Sequence, residues 1–130
     1  MSIAPSLFLR RALLADAVAG AATGLLMATG AGVLDNLLGL PTLLLSEAGL
    51  LLLPYAALVG WLGTRARLPE AAVWAVIIGN VAWTAASFGL FVLLAPTTLG
   101  YAFVIAQAVV VGVFAELQYI GLKRPLDAIA

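Results

Sequence analysis

The sequence contains no cysteine and no histidine. That excludes disulfides, thiol chemistry, imidazole-ligated haem, His-ligated zinc and any histidine acid or base. Whatever chemistry remains falls to carboxylates, amides, hydroxyls, Arg and Lys. No nucleophile–base pair, metal-ligand set or catalytic carboxylate pair stands out among these, so we expect no enzyme, no metal and no cofactor. Charge is scarce too: 9% of the 130 residues are charged, against roughly 25% in soluble domains. Six bases balance six acids, which leaves a nucleic-acid partner without an electrostatic basis.

What is abundant is apolar surface. Hydrophobic residues make up 65% of the chain, and the mean hydropathy is +1.18. The expected partner is the lipid bilayer. Apolar runs at about 12–34, 43–63, 70–94 and 98–122 each reach the roughly 20 residues that a span requires. They leave short loops and one transmembrane domain over residues 1–130. Asp35-Asn36, Gly39 and Pro41 are turn formers that would close the first helix. Pro54 stands inside the second, where its missing N–H leaves the Leu50 carbonyl without its helical donor and a kink is expected. Pro69 and Glu70 suit the start of the third, and Ala95-Pro96-Thr97-Thr98 is an uncharged turn before the fourth.

The six bases fall at Arg10 and Arg11, at Arg65 and Arg67, and at Lys123 and Arg124. Four spans bring all three groups to one side, and the positive-inside rule makes that side the cytoplasm. The expected fold is therefore all-α: a polytopic membrane protein with four antiparallel transmembrane helices, both ends cytoplasmic, in an inner membrane. Arg10-Arg11 before an apolar run, with Ala17-Val18-Ala19 beyond, also outlines a cleaved signal peptide. The apolar core ahead of that site is short and is broken by Asp16, so the first helix is expected to remain.

The first helix carries Asp16, Gly20, Gly24, Ala28 and Gly32 at intervals of four, on one slowly drifting face. Small residues in this pattern let another helix approach closely, and an acid beside them must face protein or water. Gly20, Gly24, Ala28 and Gly32 are thus candidate packing residues, within the chain or between copies.

Five polar residues are candidates for a proton or ligand site: Asp16, Glu116, Asn80, Gln107 and Glu47. Asp16 and Glu116 each sit about 7 to 11 Å inward of a base, and the first and fourth helices could unite them in a proton-binding pair. The plainer reading, favoured by shallow depth, is that snorkelling Arg or Lys side chains hold each one. Glu47, near Ser46 and Gly49, either reaches water at the outer boundary or lines a water-filled opening. Asn80 and Gln107 both count to the midplane and could hydrogen-bond across the hairpin, mostly as glue. Gln118 shares a face with Gln107, eleven residues being close to three turns, while Glu116 points away. Trp61, Trp74 and Tyr119 suit an interfacial belt, and Trp83, three positions from Asn80, suits packing.

The opening PSLFLRRALLADA and the closing FAELQYIGLKR resemble those of uncharacterised small four-helix bacterial inner-membrane proteins, a likeness that implies architecture and no activity. In size and span count the chain is also similar to the small multidrug resistance transporters, which work as dimers around a first-helix carboxylate. Asp16 stands in that position, but as an Asp, at shallower depth, and without the aromatic residues surrounding the family's site. The fluoride channels of similar size are a poorer match, lacking here their polar and Phe-rich signatures. Two functions are expected. One is a helix-packing scaffold, as a homo-oligomer or an accessory subunit of another membrane protein. The other is a proton-coupled small-molecule transporter or channel working as an oligomer. A membrane enzyme acting on lipid ranks behind both.

Overall fold

A computed structural model describes residues 2–123. Arg124, one of the six bases, lies outside the described residues, as do Met1 and the rest of the C-terminal end. Four helices carry the fold: α1 (Leu7–Leu38), α2 (Thr42–Thr64), α3 (Glu70–Leu93) and α4 (Thr98–Lys123). Each is long and apolar enough to cross a membrane. The five described bases gather at one end of the bundle, here called the basic end. The α1–α2 and α3–α4 turns form the far end.

Helix α1 is longer than its apolar run at both ends. Ser6 caps it with a side-chain oxygen that accepts from the Leu9 amide, so Arg10 and Arg11 lie on the helix, not ahead of it. Asp35 and Asn36, expected to end it, are helical. The stop comes at Gly39, whose φ of 66° lets its amide and that of Leu40 turn back onto the Asp35 carbonyl. Asp35 instead uses its side chain, accepting from the Asn36 amide and the Thr42 hydroxyl. Helix α2 runs unbroken through Pro54, and α3 begins at Glu70.

The small-residue face of α1 packs on α2, and the contact centres on Gly49. A Cβ there would lie 2.6 Å from the Ala28 nitrogen and 2.8 Å from the Gly24 carbonyl oxygen, so the two backbones touch. Gly20 lies beside Ala56, whereas a Cβ on Gly32 would meet nothing within 4 Å. The packing face therefore ends before Gly32, which looks outward. Helix α3 packs along α4, and α1 meets α4 at both ends: Gly121 against Leu9 at the basic end and Gly100 against the Leu38 carbonyl at the far end.

A short two-stranded ladder closes the basic end. Residues Ser2–Ile3 form a short strand, β1, antiparallel to β2 (Leu68–Pro69), and Arg67 donates to the Ser2 carbonyl oxygen at 3.1 Å. Ile3 and Leu68 join an apolar cluster with Leu9, Leu13, Val59 and Val73. A second cluster, around Met27, Leu45, Leu52 and Val104, fills the far end. Asp16, Asn80 and Gln118 lie between these two apolar layers.

Candidate functional site

Helical spacing turns one polar side chain from each helix into the same layer. Asp16 lies nine residues into α1, Tyr55 nine before the end of α2, Asn80 ten into α3 and Gln118 five before the end of α4. At 1.5 Å per residue they lie about 8 to 15 Å from the basic end. Asp16, Asn80 and Gln118 are 6%, 2% and 0% exposed, a burial that polar groups tolerate only when hydrogen-bonded.

They are. Asn80 Nδ2 donates to Asp16 Oδ2 at 2.8 Å and to Gln118 Oε1 at 3.0 Å, and Gln118 Nε2 donates to the same Asp16 oxygen at 2.7 Å. The Tyr55 hydroxyl shares its proton between Asn80 Oδ1 and the Val76 carbonyl, both at 3.0 Å. An ionised carboxylate only accepts, so both amide nitrogens face Asp16 and the amide oxygens turn to other donors. Asp16 Oδ1 has no hydrogen-bond partner among the described residues, and no buried polar atom among them lacks a partner. The free oxygen is therefore accessible.

Asp16 lines a cavity of about 260 Å³, together with Tyr55, Asn80, Trp83, Phe103 and Gln107 among others. Trp83 Nε1 donates to Gln107 Oε1 at 2.8 Å, and Gln107 Nε2 donates to Ser87 Oγ at 2.8 Å. Trp83, Phe103 and Gln107 also line a second cavity of about 160 Å³ on the far-end side. These three side chains form a partition between the two chambers. Apart from the polar groups at either end, the first chamber is walled by apolar side chains such as Leu52, Val59 and Val111.

Several sequence expectations are redrawn by this geometry. Asp16 and Glu116 do not meet. Gln118 takes the inward face of α4, and Glu116, two positions back and so about 200° round the helix, is exposed. Nor is Asp16 held by a base among the described residues. Arg10 donates to the Gly63 and Arg65 carbonyls, and Lys123 lies over the Trp74 and Tyr119 rings at 5.7 and 5.6 Å. Asn80 and Gln107 do not pair either. The Thr84 hydroxyl reaches the Ala108 carbonyl, a stagger that leaves Asn80 at least about 7 Å from Gln107 along the bundle. Glu47 is exposed on α2, away from both chambers. Trp61, beneath Arg65, and the Trp74–Tyr119 pair lie at the basic end.

Two residues that the site depends on carried weak signals. Tyr55 is a phenol deep in an apolar run, a place where a hydroxyl needs an acceptor. Gly49 forms no four-residue ladder of its own, only a small residue two turns before Ala56. Among the described residues no three acids cluster as metal ligands. No family model matches the chain, and neither a curated protein nor a solved structure does.

Proposed function

We propose that this chain is a multi-pass inner-membrane protein, both ends cytoplasmic, whose central chamber holds a small apolar cation against Asp16 in exchange for a proton. The observation that carries this reading is the free Oδ1 of Asp16, a carboxylate oxygen accessible beside an apolar chamber with no base among the described residues paired to it. A lone carboxylate within a membrane calls for a counter-charge; a proton and an organic cation are competing ways to supply one. The chamber volume of about 260 Å³ lies just below the roughly 300–1,000 Å³ of sites for drug-sized ligands, which sets the solute as small. The gathering of Arg10, Arg11, Arg65, Arg67 and Lys123 at one end supports the cytoplasmic placement of that end. Movement of a bound solute from the first chamber to the second would require the Trp83–Gln107 partition to open.

The test is binding of benzyltrimethylammonium to the purified protein, read through Trp83 emission in a Trp61→Phe/Trp74→Phe background. The neutral carbon isostere of the probe serves as comparison. Asp16→Asn should weaken the cation at least tenfold, about 1.4 kcal/mol, and leave the isostere unchanged. Equal binding of the cation by wild type and Asp16→Asn would overturn the reading.

A helix-packing role, with a second copy or another membrane protein, is the second reading. The small-residue ladder no longer argues for it, because Gly20, Gly24 and Ala28 are taken up against α2. The exposed Glu116 does, since a carboxylate on an outward face several residues inside α4 needs the interface or a partner. Glu116→Gln should leave cation binding unchanged, which keeps the two readings apart.

A further inference from the structure

Arg11 differs from the other described bases. Arg10, Arg65, Arg67 and Lys123 each meet a carbonyl, a hydroxyl or an aromatic ring, whereas Arg11 has no hydrogen-bond or ion-pair partner among the described residues. It is exposed at the mouth of a surface groove of about 460 Å³ between α1 and α4. Ala12 and Ala15 form one wall, Phe114 and Leu117 the other. Phe114 also lines the central chamber, and there the strip continues through Ala19 and Thr23 on α1 and through Val110 on α4. The positions 11, 15, 19 and 23 follow one face of α1, and 117, 114 and 110 one face of α4. The result is a single apolar cleft that starts at a cation and ends at the open side of the chamber.

We infer that this cleft binds one anionic phospholipid, its phosphate on Arg11 and an acyl chain laid between α1 and α4. The inference rests on the membrane placement proposed above but not on cation binding by Asp16. Charge favours this occupant: among the described residues, the one charged group lining the groove is the unpaired Arg11 guanidinium, which pairs bidentately with phosphate. Length agrees. From Arg11 to Thr23 the cleft spans about 18 Å at 1.5 Å per residue, close to the roughly 15 Å that one leaflet contributes to a 30 Å hydrocarbon core. Position agrees as well, because the basic end faces the leaflet rich in anionic lipid. Small side chains at Ala15 and Ala19 leave the chain room to lie flat. A chain seated there covers the opening between α1 and α4, where Ala106 and Val110 are both exposed and chamber-lining.

The experiment uses the full chain in nanodiscs, with Trp61→Phe and Trp74→Phe so that Trp83 alone reports. Phosphatidylglycerol and phosphatidylcholine with brominated acyl chains are each titrated over the same range of mole fraction. The expected result is quenching of Trp83 that half-saturates at about fivefold lower phosphatidylglycerol than phosphatidylcholine, the factor that one base supplies. Arg11→Gln should abolish the difference and Arg11→Lys should keep most of it. Arg67→Gln, whose parent side chain is bound to Ser2, should leave it intact. Equal quenching by both lipids in the parent protein, or an undiminished preference in Arg11→Gln, overturns the inference. An unchanged lipid preference in Asp16→Asn, alongside lost cation binding, would separate the two proposals.

Discussion

Asn80 joins three other helices at once, through Tyr55 on α2, Asp16 on α1 and Gln118 on α4. Replacing it with Leu removes three hydrogen bonds. Polar bonds within membranes average about 0.6 kcal/mol, so Asn80→Leu should destabilise the bundle by about 2 kcal/mol, seen as a lower thermal midpoint in detergent. An unchanged midpoint would mean that the amide is dispensable. At this scale the sequence was partly legible. Asp16 and Asn80 stand out as polar residues in apolar runs, and the eleven-residue interval from Gln107 to Gln118 marks an inward face. Which polar group meets which was not legible, because that depends on the stagger between helices, and a shift of one turn exchanges every partner. Asn80 was expected opposite Gln107 and instead lies with Asp16.

Between α1 and α2 the decisive residue is one without a side chain. Gly49→Ala forces a methyl group to within 2.6 Å of the Ala28 nitrogen, and backbone cannot rotate away as a side chain can. The expected cost is about 1–3 kcal/mol, the range for overpacking. Gly32→Ala, with nothing within 4 Å of its Cβ, should be neutral or slightly stabilising. Thermal unfolding of both variants side by side tests the assignment; equal effects would refute it. Helix number and approximate limits were legible because hydropathy over about 20 residues is a local property. The extension of α1 through Asp35 was not. It depends on the left-handed Gly39 and on Thr42, whose hydroxyl occupies the Asp35 carboxylate.

Taken whole, the molecule is two helical hairpins joined along α1 and α4, with a polar layer between two apolar clusters. The proposed orientation can be mapped directly, since the absence of native cysteine lets single cysteines be introduced without a background. Ala66→Cys, in the exposed turn at the basic end, should react with a membrane-impermeant maleimide only after the cytoplasmic face is opened. Thr98→Cys, exposed at the far end, should react in intact cells. Labelling of both from the same side would rule out the four-span arrangement, and the opposite pattern would invert its orientation. Four apolar runs of span length made the four-helix architecture readable. The pairing of β1 with β2 was not, since two residues on each strand leave no periodicity to detect.

The carbonyls of Leu37 and Leu38, at the close of α1, accept from the Thr97 hydroxyl and amide at 2.7 and 3.1 Å. Their donors are about sixty residues downstream. While the chain is being synthesised, the end of the first helix stays unfinished until the last helix begins, and a nascent polypeptide halted before Pro96 would carry two oxygens still seeking water. The closure of α1 against α4 at the far end thus waits on Thr97, which serves both hairpins at once.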